Sequence, residues 1–385
     1  MNIWYFSECA YPDLPPQDTY ESVRVTMPTR HMDPERAASW WDIYIDEYQL
    51  AAELGFNLMV NEHHETPTCM SSIIACTTAI YARATKDVRI LLLGSPIANR
   101  PDPVRVAEEM ALLDVLSHGR LEVGFVRGVA YEVSATNSSP ANMHERFWEA
   151  HDMIKLAWTS HDGPVNWQGR FFEHRQINIW PRPYQAPHPP IWIATLSPQT
   201  ARTVGGHGYV AATFLTGVEN TRKIFTGYRA GWAESHEGEA PLDRLAYLGM
   251  VYVGDTDDDG YAGAEKMLWY IRSNKSPHQF RDPAAYRPAG VRALEAKNGS
   301  LLNVGGATME QLIERGALFA GGPETVAGQI NRFSDEVGGI GHFLMMGRSG
   351  FMTKEETVSS LQNFAKHVRP HLEGARVPGA EAVAP

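Results

Sequence analysis

The stretch from Pro101 to Gly128 constrains the fold of this chain more than any other segment. It combines a helical pattern that begins near Pro103, a Ser-His-Gly turn that ends at Gly119, and a short apolar strand. Proline is well tolerated in a first helical turn, and glycine commonly ends a helix. A helix that leads directly into a buried strand is typical of α/β proteins with parallel strands. Such proteins bind ligands at the carboxyl ends of their strands, where this stretch places Arg127 and Gly128.

Strand and helix patterns alternate along most of the remaining chain. Short apolar runs predict about eight strands, most of them followed by a helix, at 2–6, 56–60, 88–93, 121–126, 191–194, 209–214, 245–253 and 343–346. The run at 88–93 is uninterrupted, as expected of a strand buried on both faces. We therefore predict an eight-fold (β/α)8 TIM barrel with insertions, and keep a doubly wound open sheet as the alternative.

The barrel is predicted to form one domain over residues 1–372. Its helices are predicted to include one at 70–84, rich in small residues, and a last one at 354–372. A polar, proline-rich stretch at 12–30 is typical of a long loop, and 165–179 of a hairpin. Residues 276–306 are rich in proline, glycine and charge, which indicates a lid inserted over one end of the barrel. Residues 373–385 are predicted to be a disordered tail.

The charge and cysteine content narrow the class of protein. The net charge of -11 and the sequence pI near 5.8 argue against a nucleic acid or an anionic membrane as partner. No apolar run is long enough to predict a membrane span. Three cysteines without CxxC spacing, and a start that lacks the features of a signal peptide, predict a cytoplasmic protein.

Glu62, His63 and His64 follow the second predicted strand directly. A metal site is disfavoured here, because adjacent strand residues point to opposite faces and no further ligands stand at metal spacing. A purely structural, hydrogen-bonded pair of histidines is one alternative. The other is that one histidine faces the mouth of the barrel and transfers protons near neutral pH, while its neighbour turns inward. His63 and His64 are therefore the candidate catalytic residues.

Arg127 is a candidate anion ligand, because a guanidinium binds a phosphate through two parallel hydrogen bonds. Ser197 and Thr200 stand at a predicted helix N-terminus, where free N–H groups and the helix dipole favour an anion. The alternatives are that Arg127 pairs with Glu108 or Glu122, and that the two hydroxyls only cap their helix.

Gly94 and Ser95 end the most apolar predicted strand, and small residues there allow a flat ring to lie against the backbone. The alternative is a plain turn set by Pro96. No glycine-rich dinucleotide fingerprint accompanies these groups, so the bound phosphate is expected to belong to a mononucleotide.

Taken together, these segments resemble the bacterial luciferase-like family of flavin-dependent monooxygenases. The resemblance covers most of residues 1–372. It is carried by NEHHE at 61–65, LLLGSP at 91–96, PVRVAEEMALLDVLSHGRLEVGFVRG at 103–128, PPIWIATLSPQTA at 189–201 and GGPETVAGQI at 321–330.

The resemblance implies a barrel that binds reduced FMN at the carboxyl ends of its strands. His63 corresponds to the catalytic histidine of the family, and Arg127, together with Ser197 and Thr200, corresponds to its phosphate site. The Gly94-Ser95 bond corresponds to a cis peptide on which the flavin ring rests.

Two positions depart from the luciferases of this family. Leu196 stands where they have a glutamate before the phosphate-site serine, a contact often made through the backbone, so phosphate binding is still expected. Val126 replaces a cysteine, which argues against light emission but not against flavin binding.

The reaction implied by the resemblance begins with the addition of O2 to the C4a carbon of reduced FMN. The resulting peroxyflavin oxygenates a small apolar organic substrate, and the lid excludes water that would otherwise release hydrogen peroxide. A separate NAD(P)H:flavin reductase is expected to supply reduced FMN, since no nicotinamide fingerprint is visible. A homodimer is expected from the resemblance alone.

Three other functions stay open at this point. A deazaflavin-dependent dehydrogenase uses the same barrel and transfers hydride without O2. A non-catalytic flavin-binding protein would bind the cofactor without turnover. A metal hydrolase on a barrel is the third alternative.

Overall fold

Eight parallel strands close a barrel in the computed structural model, which describes residues 1–16, 19–273 and 306–374. The predicted lid lies outside the described residues apart from its last position, and so does the predicted tail from 375 onward. The strands are β1 (Asn2–Ser7), β2 (Asn57–Val60), β3 (Ile90–Ser95), β4 (Leu121–Phe125), β5 (Val165–Gln168), β6 (Glu173–Ile177), β7 (Ile191–Ala194), β8 (Val210–Phe214), β9 (Leu245–Val253), β10 (Leu318–Gly321) and β11 (His342–Arg348).

The α-helices cover the outside of the barrel and its loops. They are α1 (Val23–Thr26), α2 (Pro34–Glu53), α3 (Ile74–Ala84), α4 (Pro103–Leu116), α5 (Ala130–Ala135), α6 (Met143–Thr159), α7 (Pro198–Gly206), α8 (Gly217–Ser235), α9 (Asp257–Ser273), α10 (Met309–Glu314), α11 (Pro323–Val337) and α12 (Lys354–Asn363). Within the described ranges, no helix is both long and apolar enough to cross a membrane.

The order of the strands confirms the predicted barrel and rules out the open sheet. Around the barrel the order is β9-β11-β1-β2-β3-β4-β7-β8, and β8 pairs again with β9. All eight predicted strands are members of this ring. The short strand β10, which ends in glycine and was not predicted, pairs with β9 alongside the ring. The hairpin predicted at 165–179 is the antiparallel pair β5 and β6.

Alternation along the strands creates two cores. In β1, Trp4 and Phe6 belong to the cluster inside the barrel, whereas Ile3 and Tyr5 belong to the cluster between strands and helices. Successive side chains of a strand point to opposite faces, so every strand of the ring must be apolar on both. This requirement explains the uninterrupted apolar run in β3.

The opening stretch folds as its sequence predicts. Asp102 caps α4 by accepting hydrogen bonds from the backbone of Val104 at 2.9 Å and Arg105 at 3.4 Å. After the helix, His118 and Gly119 have positive φ angles of 55° and 77°, a conformation that glycine adopts without strain. The chain then enters β4, which brings Arg127 to the carboxyl end of the barrel.

Three predicted elements differ in the structure. The helix predicted from residue 70 begins only at Ile74, and the predicted loop at 12–30 contains α1. The last predicted helix ends at Asn363 and continues as a π-helical turn and then a 3-10 turn, Arg369–His371. Pro370 lies in that final turn; it has no backbone N–H, so it cannot continue a regular α-helical hydrogen-bond pattern.

Candidate active site

Four adjacent strands bring the predicted site residues to one rim of the barrel. Ser95 in β3 pairs with Phe125 in β4, and Phe125 pairs with Ile193 in β7. Strand β2 pairs with β3 on the other side. Around the rim, the strand ends therefore carry in order His63 after β2, Ser95 in β3, Arg127 after β4 and Ser197 after β7.

The two histidines are held by two different carboxylates. The Nδ1 atom of His63 lies 3.0 Å from Oε1 of Glu132, and the same oxygen accepts the backbone N–H of His64 at 3.0 Å. The Nε2 atom of His64 lies 3.0 Å from Oε1 of Glu62. The side chains of His63 and His64 are 18% and 31% exposed, so neither ring turns fully inward, contrary to expectation. With Nδ1 of His63 engaged, Nε2 is the nitrogen that remains for a ligand.

Glu132 was missed by the sequence interpretation, although it organises this side of the site. Burial opposes its ionisation, but the hydrogen bond and charge of His63 and the backbone N–H groups of His64 and Val129 lower its pKa to about 2. The side chain is therefore a carboxylate at any neutral pH. It lies in the short helix α5, which has no strong sequence pattern, and only the fold brings it next to a residue 69 positions away.

Glu62 has a similar double role. Its second oxygen, Oε2, accepts the backbone N–H of Ile74 at 3.1 Å and so binds the first residue of α3. The hydrogen bond to Glu62 raises the pKa of His64, and burial opposes this rise. Glu62 thereby fixes the ring of His64 and the start of a helix together.

The end of β3 is closely packed and contains an unsatisfied hydroxyl. A Cβ atom on Gly94 would lie 2.6 Å from Cγ1 of Val126 and 3.0 Å from the carbonyl oxygen of Gly124, so only glycine fits. The Oγ atom of Ser95 is buried and has no hydrogen-bond partner among the described residues. The expected cis peptide is present one residue earlier than predicted, between Leu93 and Gly94.

Arg127 does not form the ion pairs that were its structural alternative. Glu122 pairs with Arg89, and Glu108 pairs with Arg105. In the part of the chain that the structure describes, no carboxylate pairs with Arg127. Its side chain reaches solvent, yet the surrounding protein removes enough water from the guanidinium to lower its pKa. Arginine stays charged in proteins, so this cation lacks a counterion.

Asn99 is a second polar group near Arg127 that the sequence interpretation missed. Its Nδ2 and Oδ1 atoms are both buried, and neither has a partner in the described chain. A Cβ atom on Gly128, which has a φ of 86°, would lie 2.4 Å from Nδ2 of Asn99. Burial and then the charge of Arg127 lower the pKa of His144, in the first turn of α6.

Ser197 and Thr200 cap α7. Oγ of Ser197 accepts the backbone N–H of Thr200 at 3.3 Å and donates to the hydroxyl of Thr200 at 3.0 Å. Leu196 precedes them and is half-buried. The two hydroxyls therefore cap their helix, as in the alternative interpretation. Because α7 follows β7 and β7 pairs with β4, the N-terminus of α7 also lies next to the end of β4.

The rim thus has two sides that differ in hydrogen bonding. We call the ends of β1 and β2 together with α5 the histidine side, and the ends of β3, β4 and β7 the open side. On the histidine side each imidazole has a carboxylate, and on the open side Ser95, Asn99 and Arg127 have unpartnered polar atoms. No group of three or more histidine, cysteine, aspartate or glutamate side chains in the described ranges could hold a metal ion.

Curated relatives include both oxygenases and dehydrogenases. A protein of Sinorhizobium fredii, y4wF, is 30% identical over 224 residues, 57% of this chain and 64% of its own length. The oxygenase component of a flavin-dependent trigonelline monooxygenase from Acinetobacter baylyi is 28% identical over 244 residues, 62% of this chain and 66% of its own. The chain thus spans slightly under two thirds of the length of either protein. An F420-dependent glucose-6-phosphate dehydrogenase from Amycolatopsis mediterranei is 29% identical over 181 residues, 45% of this chain and 53% of its own.

Solved structures share the whole barrel. The oxygenating constituent of 3,6-diketocamphane monooxygenase from Pseudomonas putida, a type II Baeyer-Villiger monooxygenase solved with FMN, superimposes with a TM-score of 0.72. It covers 89% of this chain and 96% of its own, at 18% identity, a likeness that concerns the fold. The sequence profile of one family matches residues 24–338, a span that includes the ends of β2, β3, β4 and β7. The chain belongs to the luciferase-like monooxygenase family.

Proposed function

We propose that this protein is the oxygenase component of a two-component monooxygenase that uses reduced FMN and O2 to oxygenate a small, largely apolar organic substrate. The observation that carries the proposal is the set of unpartnered polar groups on the open side. Ser95 and Asn99 have buried polar atoms without a partner in the described chain, and each such atom costs roughly 1–3 kcal/mol. Arg127 is exposed and has no counterion among the described residues. Groups left in this state at the ligand-binding end of a barrel are best explained by a bound polar ligand.

The open side fits FMN in its charge and its shape. Arg127 would bind the phosphate, with the N-terminus of α7 and the hydroxyls of Ser197 and Thr200 beside it. At Leu196, which offers no polar side chain, any contact with the phosphate would come from the backbone. The missing side chain at Gly94 leaves a flat surface for the flavin ring, and Ser95 and Asn99 supply donors and acceptors to its polar atoms.

The histidine side would manage protons during the reaction. Reduced FMN supplies the electrons that activate O2 when it is bound. His63, held through Nδ1 by Glu132, presents Nε2 toward the mouth as a proton donor or acceptor. Glu132 would keep the ring in one orientation, as carboxylates do for catalytic histidines. His64 is fixed in the same way by Glu62 and supports the adjacent backbone.

A deazaflavin-dependent dehydrogenase is the second candidate, because one of the relatives is F420-dependent. Both cofactors carry a phosphate that Arg127 could bind, so the open side does not separate them. A flavin-binding protein without turnover is the third candidate. We favour FMN on the match to the oxygenase component of a flavin-dependent monooxygenase.

The deciding experiment is an anaerobic titration of the protein with reduced FMN and, separately, with reduced deazaflavin. The proposal predicts that FMN binds more tightly and that oxygen is then consumed in a substrate-dependent manner with a panel of aldehydes, ketones and terpenoids. Hydride transfer from the deazaflavin without oxygen uptake would instead establish the dehydrogenase. Binding of FMN with no substrate-dependent oxygen uptake would leave a flavin-binding protein.

Two partners complete the proposal. A separate NAD(P)H:flavin reductase would deliver reduced FMN, consistent with the similarity to a protein described as an oxygenase component.

A homodimer would use the neighbouring helices α3 and α4, which expose four large aliphatic side chains at or next to their surfaces: Ile73, Ile80, Leu112 and Leu116. Light scattering should give twice 42.8 kDa for the wild type and a smaller mass for Ile80→Glu combined with Leu112→Glu. Met32→Glu, at an exposed apolar residue elsewhere, is the matched control.

A further inference from the structure

Arg24 is buried without a carboxylate partner. It lies in α1, within the segment that was predicted to be only a loop, and it is 4% exposed. Arginine is rarely buried to this extent unless it is paired. In the described ranges no carboxylate forms an ion pair with Arg24, and its Nη1 atom has no hydrogen-bond partner.

Glu8, the carboxylate whose charge acts on Arg24, is already occupied by other donors. Tyr270 donates its hydroxyl to Oε1 of Glu8 at 2.6 Å, and Asn61 donates its amide to Oε2 of Glu8 at 2.7 Å. Arg24 interacts with the phenol groups of Tyr270 and Tyr131, and its guanidinium carbon lies 5.4 Å from the centre of the Tyr131 ring. Glu8 therefore balances the charge of Arg24 only at a distance, through Tyr270.

This cluster borders the histidine side of the rim. The hydroxyl of Tyr131 donates to Oε1 of Glu132 at 3.3 Å, and that oxygen also holds His63. Asn61 precedes His63 by two residues at the end of β2. The proposed phosphate site lies at the ends of β4 and β7, with β3 between them and β2. The anion that would satisfy Arg24 is therefore expected to be a different one from the flavin phosphate.

Apolar residues precede and follow Arg24 in the chain. Val23 belongs to the core cluster inside the barrel, and Met27 packs against it. Phe6 belongs to the same cluster. A molecule bound next to Arg24 and His63 would thus meet a buried cation and the phenol groups of Tyr131 and Tyr270, beside the apolar core of the barrel.

We propose that Arg24 binds a carboxylate of the organic substrate, and that the protein accepts apolar molecules bearing an acidic group. This inference rests on the proposed monooxygenase function, since it names the substrate class of the same site. The acidic group would bind Nη1 of Arg24 and orient the apolar part of the molecule toward Nε2 of His63. Arg24 would act as a specificity-determining residue and would take no part in the proton transfers.

Equilibrium binding of carboxylates and their neutral amides tests this assignment directly. The probes are benzoate, cyclohexanecarboxylate and cinnamate, each compared with its amide, titrated into the full-length protein by calorimetry. At least one acid should bind roughly ten-fold or more tightly than its amide, since a charge-assisted hydrogen bond adds that much. Arg24→Met should remove this preference. Arg30→Met, at an exposed arginine a few residues further along, should keep it.

The affinity for FMN, measured on the same variants, separates the two proposals. Unchanged FMN binding in Arg24→Met together with lost binding of the acid supports the assignment. Equal affinity of every acid and its amide in the wild type overturns it, and so does a decrease of FMN affinity in Arg24→Met without an effect on the acids. If Arg24→Met does not fold, the comparison of acid with amide in the wild type decides alone. Failure of the wild type to bind FMN while it binds the acids would overturn the proposed function and leave the acid site standing.

Discussion

The two sides of the barrel rim differ in whether the protein satisfies its own polar groups. On the histidine side, Glu132 and Glu62 each hold a ring nitrogen at 3.0 Å. On the open side, Ser95 and Asn99 have buried polar atoms without a partner in the described chain, and no carboxylate of that part pairs with the exposed Arg127. The proposed function accounts for this difference: groups proposed to transfer protons are held in place by the fold, whereas groups proposed to bind a cofactor are left for that cofactor to satisfy. Arg24 is the exception on the histidine side, as expected if it also waits for a ligand.

The pairing of Glu132 with His63 on the histidine side should make the unfolding free energy decrease at acidic pH. The pKa of Glu132 is about 2 in the folded protein, below the value of roughly 4.3 expected in the unfolded chain. Its carboxylate therefore stabilises the fold above pH ~4.3, and this contribution is lost as the pH falls toward 2. The contribution is on the order of 3 kcal/mol. The unfolding free energy of the wild type should exceed that of Glu132→Gln near pH 6 and approach it near pH 2.5.

An equally strong pH dependence in Glu132→Gln would contradict this account of the histidine side. Glu219→Gln is the control, because Glu219 pairs with Lys223 on the exposed surface of α8. Exposed pairs of this kind contribute little, so this variant should follow the wild type across the same pH range.

Glu132→Gln should also separate the two sides by kinetics. Loss of the carboxylate releases His63 from a fixed orientation, and misplacement of a catalytic group by about 1 Å can cost ~100-fold in rate. We expect a decrease in kcat of this order with the dissociation constant of reduced FMN unchanged. Stopped-flow turnover and an anaerobic FMN titration provide the two measurements. A parallel loss of FMN affinity would mean that the sides are not independent.

Arg127→Ala should give the opposite result on the open side. The loss of a charge-assisted hydrogen bond to the phosphate costs about 1.5–3 kcal/mol, which corresponds to roughly ten- to 150-fold weaker FMN binding. The turnover number at saturating FMN should change little. Arg105→Ala, which removes an exposed arginine paired with Glu108 on α4, is the matched control. An unchanged FMN affinity in Arg127→Ala would remove Arg127 from the cofactor site.

Gly128→Ala should produce the smallest of these effects and act mainly on packing. The residue has a φ of 86°, and an added Cβ atom would lie 2.4 Å from the amide of Asn99. An L-residue in this conformation is strained by about 1–2 kcal/mol, and Asn99 would have to move. Thermal unfolding should report the lower stability, and FMN binding should weaken if Asn99 contacts the cofactor. Gly238→Ala has a similar positive φ but open space around it, so it reports the backbone strain alone.

The barrel could be predicted because its signals are local. Apolar runs of the length of a strand, glycine at turns and proline at helix starts all act within a few residues. They located the eight ring strands, whereas β10 was missed because four residues ending in glycine give little signal. The predicted start of α3 and the predicted end of the last helix were wrong, because tertiary packing and Pro370 determine where these helices begin and end.

The candidate site could be predicted only in part. His63, His64, Gly94, Ser95, Arg127, Ser197 and Thr200 stand directly after or at the ends of predicted strands, so the barrel rule places them on one rim. Glu132, Asn99 and Arg24 lie in loops and short helices. Such segments are too short to show a periodic pattern of apolar residues in the sequence. Their roles depend on which distant residue each meets.

The sequence by itself determined the family through its motifs. It also determined the barrel and the rim that carries the candidate site, because these follow from local patterns and from the direction of parallel strands. Only the tertiary structure decided which polar groups are satisfied. Glu132 reaches His63 across 69 residues, and Glu8 is taken by Asn61 and Tyr270 before Arg24 can pair with it. Hydrogen bonds act over about 3 Å in space and are indifferent to separation along the chain. The division between a histidine side and an open side is therefore a property of the folded chain alone.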